Sequence, residues 1–127
     1  MSRVGVLLIG HGSRADGAND GMHLVAERLR DRGRYNIVEV GFMIRNFPSI
    51  EDAAAICIGK GADTVLLIPY FLHTGLHLIE DLPNTVPRLQ KLHPGVRFTL
   101  GQPMGLHPGL VDIVADRIEG CRAAAEQ

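Results

Sequence analysis

VGVLLIGHGSR, residues 4–14, is the stretch that decides the fold, because an apolar run of strand length ends in a glycine-flanked turn that carries a histidine. VLLIPYFLHTGLH, residues 65–77, repeats this arrangement and ends at His77. In open α/β sheets, ligands bind beyond the carboxyl ends of the strands. The two turns can therefore place His11 and His77 at one pocket, although they lie far apart in the sequence.

The rest of the chain alternates in the same way. Strands are predicted at Val4–Ile9, Asn36–Met43, Thr64–Ile68 and Arg97–Leu100. Helices are predicted at about Met22–Arg32, from Pro48 or Ser49 to Gly59, at about Leu82–Leu92, and from near Pro108 to about Arg122. We expect Asp81 to cap the third helix and the tail Ala123–Gln127 to fray. This order predicts an α/β, flavodoxin-like three-layer sandwich, with a four-stranded parallel sheet and helices on both faces.

The composition is that of a globular protein with one domain, residues 1–127. Of the 127 residues, 46% are hydrophobic and 21% are charged, and the formal net charge of -1 gives no basic field for nucleic acid. Cys57 and Cys121 lack C-x-x-C spacing and are expected to be buried, reduced thiols. Because no long apolar span or signal peptide is visible, we expect a cytoplasmic protein without membrane association.

His11 lies between Gly10 and Gly12, which allow a tight turn and a close approach by a large ligand. Imidazole titrates near neutral pH and, when neutral, binds divalent transition metals. Ser13 and Arg14 suit a carboxylate ligand. The alternatives are a turn histidine bonded to backbone, a capping serine and a solvated arginine.

His73 and His77 are four residues apart, which would place them on one face of a helix as a pair of metal ligands. Gly75 between them argues against a regular helix, so we favour a functional His77 and a peripheral His73. Glu80 could share a metal or a proton with His77, or be an acid at the start of a helix.

Other residues at the same edge are weaker candidates. Arg45 follows the second strand and would suit an anionic ligand, although it could be a solvated charge. His107 precedes Pro108, where starting a helix is a sufficient role. The chain lacks G-x-G-x-x-G, the lysine of a phosphate-binding P-loop and the G-x-S-x-G elbow of serine hydrolases.

Two motifs carry a resemblance to a known family. Residues 10–14, GHGSR, and residues 69–83, with Pro69-Tyr70-Phe71-Leu72, Gly75, His77 and Asp81-Leu82-Pro83, resemble the class II tetrapyrrole chelatases. Within these, the chain is most similar to the short CbiX-type sirohydrochlorin chelatases. Two supporting matches, Pro48-Ser49-Ile50 and Pro103-x-Gly105-x-His107-Pro108, extend the resemblance over essentially the whole chain.

The resemblance implies insertion of Co²⁺ into sirohydrochlorin in cobalamin synthesis, without ATP and without a resident cofactor; Fe²⁺ and Ni²⁺ are the alternatives. It implies that His11 and His77 hold the metal and that these histidines or Glu80 accept protons. The residues expected to hold the tetrapyrrole are Gly10, Gly12, Ser13, Arg14, Arg45, Leu72 and Gly75. The short form is similar to one half of a two-lobed enzyme, and is expected to pair as a homodimer.

The chain departs from the family pattern after the second strand, where Ile44-Arg45-Asn46 stands in place of an acidic residue that many members carry. Two other functions stay open from the residues alone. One is a metal or tetrapyrrole carrier without catalysis. The other is a histidine-based hydrolase or phosphotransfer enzyme that uses Gly10-His11-Gly12.

Overall fold

Strands and helices alternate along the chain, as the sequence predicts. The computed structural model describes residues 3–13, 17, 19–72, 76–105 and 107–126, and for residues 76–80 it describes only the backbone. The strands are β1 (Val4–Gly10), β2 (Ile37–Phe42), β3 (Thr64–Pro69) and β4 (Arg97–Leu100). The helices are α1 (Asp20–Asp31), α2 (Ile50–Gly59), α3 (Leu76–Leu92) and α4 (Gly109–Ala125).

The four strands form one parallel sheet in the order β2-β1-β3-β4. Strand β1 is central, with Ile9 opposite Gly41 of β2 and opposite Pro69 of β3. Because all strands run the same way, the loops after β1, β2 and β3 leave from one edge. The predicted α/β class and parallel sheet are confirmed.

Helices cover the two faces of the sheet unequally. On one face, α2 and α3 close a core whose most buried members include Leu7, Ile9, Ala53, Cys57, Val65, Leu67 and Leu89. On the other face, α1 packs on β1 and β2 around Met22, Ala26, Val38, Val40 and Phe42. These faces follow the period-two alternation of buried residues along the strands.

Helix α2 sits unusually close to the sheet. A Cβ placed on Gly41 would lie 3.0 Å from the Cβ of Ala53, and one on Gly5 would lie 3.2 Å from the Cβ of Cys57. The helix begins where the sequence predicts, since the Ser49 hydroxyl accepts a hydrogen bond from the Asp52 amide at 3.1 Å. This N-cap also supports the turn that follows β2.

The predicted start of α3 is wrong. The helix begins at Leu76 rather than near Leu82, so Asp81 is an interior residue and not the cap. Pro83 and Pro87 both lie inside the helix, where each removes a backbone donor. Burial of Leu82, Thr85 and Leu89 holds this segment helical against that cost.

The prediction that both cysteines are buried is confirmed for Cys57 and is wrong for Cys121. Cys57 is buried and free, and burial raises the pKa of its thiol to about 12. Cys121 is also free, but it is exposed on α4, which corrects the prediction of burial. Helix α4 continues to Ala125, so Ala123–Ala125 is helical instead of frayed. In the described part of the chain, no helix is both long and apolar enough to cross a bilayer.

Candidate active site at the carboxyl edge of the sheet

The loops after β1 and β3 lie side by side because the two strands are paired. The Tyr70 amide donates to the Ile9 carbonyl at 2.8 Å, which continues the ladder to the last residues before both loops. His11 follows directly after β1, and its side chain is exposed. The parallel pairing of β1 with β3 therefore makes the two histidine-bearing segments follow strands that end at one edge of the sheet.

His77 lies in the first turn of α3, and not in the irregular turn that the sequence suggested. The side chains of His77 and Glu80 lie outside the described part of the structure, as do Arg14, His73 and Gly75 altogether. The roles predicted for these residues stay predictions. The first turn of α3 does bring the amino end of a helix, with its free backbone N–H groups, to this edge, where it favours anions.

The loop after β2, residues 43–49, holds the histidine loop in place. The Met43 amide donates to the Gly10 carbonyl at 2.9 Å, and the Ile44 amide donates to the His11 carbonyl at 3.1 Å. The side-chain oxygen of Asn46 then accepts the Ser13 amide at 2.7 Å. The backbone is thus fixed on both sides of His11, while its imidazole stays accessible.

A glycine is required at position 12 because the loop after β2 packs closely against the histidine loop there. Its φ of +104° is in the region that favours glycine, and a Cβ there would overlap the carbonyl oxygen of Ile44. A Cβ on Gly10 would press on the side chains of Met22 and Phe42. Both glycines were predicted to line a ligand site, and the structure adds a packing reason for each.

Arg45 lies at the predicted edge, exposed, and with a φ of +68°. A side chain larger than that of asparagine is uncommon in this left-handed region, so the loop holds Arg45 in a strained conformation. Strain of this kind clusters at functional sites.

Three large apolar side chains are exposed at the same edge of the sheet. Phe47 is 77% exposed, Leu72 57% and Ile44 42%. Leu72 was predicted as a ligand contact, whereas sequence reasoning missed Ile44, Phe47 and the clamp by Asn46. The sequence does carry a signal for Ile44 and Phe47. Both are large apolar residues in a short loop directly after a strand, where they cannot join the core.

The loop after β4 joins this edge through backbone contacts. The Met104 amide donates to the Phe71 carbonyl at 2.9 Å. The ring Nδ1 of His107 accepts the Gly109 amide at 2.8 Å, which supports the predicted role of His107 in starting α4.

Among the described side chains, no three from histidine, cysteine, aspartate and glutamate gather as a metal site. An exposed imidazole, a cation, a helix amino terminus and an apolar surface do meet at one edge. This combination suits a ligand that is flat and apolar on its faces, anionic at its rim and able to meet a divalent metal ion.

Comparisons with known proteins agree with this description. The CbiX family profile matches residues 5–121. A chloroplastic sirohydrochlorin ferrochelatase of Arabidopsis thaliana is 33% identical over 122 residues, which cover 96% of this chain and 54% of that protein. A sirohydrochlorin cobaltochelatase of Priestia megaterium is 33% identical over 114 residues, which cover 90% of this chain and 37% of that protein. The chain thus spans about half or less of these two relatives.

Two solved structures share the fold over most of the chain. A Marinobacter aquaeolei protein assigned to CbiX of cobalamin biosynthesis has a TM-score of 0.82 and 25% identity, with 95% of this chain and 98% of that chain covered. The sirohydrochlorin chelatase SirB of Bacillus subtilis, solved with cobalt, has a TM-score of 0.84 and 26% identity, with 93% of this chain and 50% of that chain covered.

Proposed function

We propose that this chain, which belongs to the CbiX family, is a sirohydrochlorin chelatase that inserts a divalent metal, with Co²⁺ as the first candidate. The observation that supports the proposal is the parallel pairing of β1 with β3, because the exposed His11 and the segment that leads to α3 then follow strands that end at the same edge of the sheet. Relatives named as cobaltochelatases and ferrochelatases match nearly the whole chain.

In the proposed mechanism, the metal is a substrate. His11 and His77 bind the hydrated ion and replace part of its water shell with imidazole nitrogen, a ligand that suits Co²⁺, Ni²⁺ and Fe²⁺ better than Mg²⁺. Insertion exchanges two pyrrole N–H protons for one M²⁺. A histidine or Glu80 accepts these protons, which is the kind of help that contributes about 10²–10⁴ in rate.

The tetrapyrrole is held at its rim and on its faces. Arg14, Arg45 and backbone N–H groups at the start of α3 bind rim carboxylates, with Gly10, Gly12, Ser13 and Gly75 letting the ring approach the backbone. The exposed Leu72, Phe47 and Ile44 contact the apolar faces of the ring. No nucleotide or resident cofactor takes part in this scheme.

A second copy of the chain supplies the other wall of the cleft. The chain covers 50% of the SirB chain, and 98% of the Marinobacter aquaeolei chain. A one-lobed chain offers one wall to a flat macrocycle, so we propose a homodimer as the working form. We place it in the cytoplasm, where the exposed free thiol of Cys121 stays reduced.

The proposal also names the divalent metal that is inserted. Relatives named for cobalt and for iron are both 33% identical to this chain. Co²⁺ is proposed because relatives of about this chain's length are named for cobalt, such as the sirohydrochlorin cobaltochelatase of Sulfolobus acidocaldarius, which is 30% identical and 90% covered; Ni²⁺ and Fe²⁺ are the competing substrates.

The test is anaerobic absorbance of purified protein with sirohydrochlorin and Co²⁺, Ni²⁺ or Fe²⁺ in turn. A metal-dependent spectral change faster than the reaction without protein supports a chelatase and ranks its metals. His11→Ala should abolish the acceleration, whereas the control His23→Ala, in α1, should retain it. A bound-tetrapyrrole spectrum without acceleration would instead indicate a carrier.

A further inference from the structure

The sheet has a cavity at its amino-terminal edge, where the strands begin. The cavity has a volume of about 310 Å³, and its walls come from the entries of two paired strands. The residues that line it are Arg3, Val4, Arg34, Asn36 and Ile37. We call it the amino-edge cavity. A volume near 300 Å³ is at the lower end of the range for small-molecule sites, so the cavity has room for a small organic ligand.

The amino-edge cavity and the candidate active site lie at opposite ends of β1. Strand β1 has 7 residues, Val4–Gly10, and a parallel strand rises about 3.3 Å per residue. His11 therefore lies about 23 Å from Val4. A ligand in the cavity would leave His11 uncovered, so the cavity is separate from the site at the carboxyl edge.

Positive charge is concentrated beside this cavity, although the whole chain has a net charge of -1. The nine residues from Arg28 to Asn36 include four arginines and one acid, Asp31. The guanidinium of Arg30 donates to the Val38 carbonyl and is thereby held on the backbone of β2. Among the described residues that line the cavity, two are arginines and none is an acid.

The first of these arginines, Arg3, is fixed to the entry of β3. Its amide donates to the Asp63 carboxylate at 3.0 Å, and its carbonyl accepts the amides of Asp63 at 2.9 Å and of Thr64 at 3.2 Å. Its guanidinium lies against the backbone of Gly61, where an added Cβ would be 2.7 Å from Nη1 of Arg3. Contacts with another strand and another loop therefore position this cation.

The second arginine, Arg34, lies in the turn between α1 and β2. This turn begins at Gly33, whose amide donates to the Arg30 carbonyl at 3.1 Å and whose φ of +77° ends the helix. The chain then enters β2 at Ile37, which is the register partner of Gly5 in β1. The pairing of the two strands brings the turn with Arg34 beside the entry of β1.

Neither guanidinium of the cavity is neutralised by a described carboxylate. Within the part of the chain that the structure describes, the side chains of Arg3 and Arg34 take part in no ion pair and no hydrogen bond. The carboxylate of Asp63 is nearby, but its Oδ1 accepts the Arg3 amide and the Thr64 hydroxyl. An anion between the two guanidiniums would offset their mutual repulsion and accept charge-assisted hydrogen bonds from both.

We propose that the amino-edge cavity binds a small organic dianion, which carries either two carboxylates or one phosphate monoester. The planar guanidiniums of Arg3 and Arg34 and the amide of Asn36 supply the donors for the charged oxygens. Val4 and Ile37 supply apolar contact for the carbon skeleton of the ligand. Because the cavity is remote from His11, this binding does not depend on the proposed metal insertion.

The test measures binding of two probes to the full chain, without metal or tetrapyrrole. Succinate represents the dicarboxylates, and glycerol 3-phosphate represents the phosphate monoesters, at about pH 8, where the phosphate carries two charges. Isothermal titration calorimetry at constant ionic strength gives each Kd, and the tighter probe identifies the preferred anionic group. In amide NMR spectra, the signals of Arg3, Val4 and Arg34 should shift, whereas those of His11 and Gly12 should not.

Three variants test whether the cavity itself binds the anion. Arg3→Gln and Arg34→Gln each remove one guanidinium and should weaken binding of the preferred probe about tenfold or more. Arg97→Gln is the matched control, because it removes the same charge from the first residue of β4, at the same edge of the sheet but outside the cavity. It should change Kd by less than about twofold, since salt screens a charge at that distance.

All three arginines are exposed, so the variants should fold, which urea unfolding checks. If the loss of the contact with Gly61 destabilises Arg3→Gln, Arg34→Gln decides the question alone.

Other results would overturn the proposal. If neither probe binds at about 10 mM, the cavity is not an anion site. If Arg97→Gln weakens binding as much as Arg34→Gln, the anion responds to a diffuse positive field and not to the cavity. If the NMR shifts gather around His11, the probes bind at the carboxyl edge. Metal insertion is measured with tetrapyrrole and metal, so the proposed activity stands or fails separately.

Discussion

The side-chain oxygen of Asn46 lies 2.7 Å from the backbone nitrogen of Ser13 and thereby ties the loop after β2 to the loop that carries His11. The two residues are 33 positions apart in the sequence. This hydrogen bond fixes the backbone after His11, where the chain has left β1 and is no longer held by the hydrogen bonds of the sheet.

We expect Asn46→Ala to have a larger effect on the rate of metal insertion than on the free energy of unfolding. The lost hydrogen bond contributes about 1 kcal/mol to folding, but its loss also frees the backbone next to His11. Metal titrations with insertion kinetics measure the first effect and urea unfolding the second. Asn46→Asp keeps an oxygen acceptor and is the control; if both variants insert metal equally poorly, the hydrogen bond is not the cause.

Gly12→Ala should destabilise the fold strongly. The substitution adds a Cβ at a φ of +104° and directs it at the Ile44 carbonyl oxygen, so we expect a loss of about 2 kcal/mol or more in the free energy of unfolding. Gly21→Ala is the matched control, because a Cβ there meets nothing within 4 Å and alanine favours a helix by about 0.5–1 kcal/mol. Equal stability of the two variants would contradict the described loop contact.

Phe47→Ser should raise the KM for the tetrapyrrole with little change in stability. Phe47 is 77% exposed, so the fold gains little from burying it, whereas a macrocycle bound at this edge would cover the ring. Initial rates at varied tetrapyrrole concentration give KM and kcat. Leu92→Ser, at the far end of α3 and 58% exposed, should leave KM unchanged; an unchanged KM in Phe47→Ser would remove this residue from the binding surface.

Cys57 should make the protein less stable as the pH rises above 9. Burial raises the pKa of its thiol from 9.0 to about 12, so between these values the unfolded chain releases a proton that the folded chain keeps. The contribution is fully present below pH 9 and is lost progressively above it, by roughly tenfold in the unfolding equilibrium for each pH unit.

Urea unfolding at pH 8 and pH 10 measures this dependence. Cys57→Ala should show a smaller fall in stability between the two pH values than wild type. Cys121→Ala is the control. Because Cys121 is exposed, this variant should show the same decrease in stability between pH 8 and pH 10 as wild type. The same slope in all three proteins would show that other groups account for it.

The sequence allowed prediction of most of the fold, since each apolar run followed by a helical pattern is a local signal. The bounds of β4 and the start of α2 at Ser49 agree closely with the structure. The predicted start of α3 is wrong because the prediction places Pro83 in the first turn, where a proline is least costly. Burial of Leu82 and Leu89 is a tertiary effect that no local pattern shows.

The candidate site was predicted only in part for a similar reason. Strand ends mark His11 and Arg45, because parallel strands all finish at one edge. The contact of Asn46 with Ser13 joins distant segments, and the exposure of Phe47 depends on how the loop after β2 is folded. Neither feature has a periodic signature in the sequence.

The fit of Gly12 against the Ile44 carbonyl makes residues 10–13 and 43–49 a single interlocking part. A protein engineer who wishes to transplant the histidine loop into another scaffold, or to import a relative's loop after β2 in order to change metal preference, would have to move both segments together. Exchange of either one alone would set a foreign backbone against a surface shaped for its counterpart.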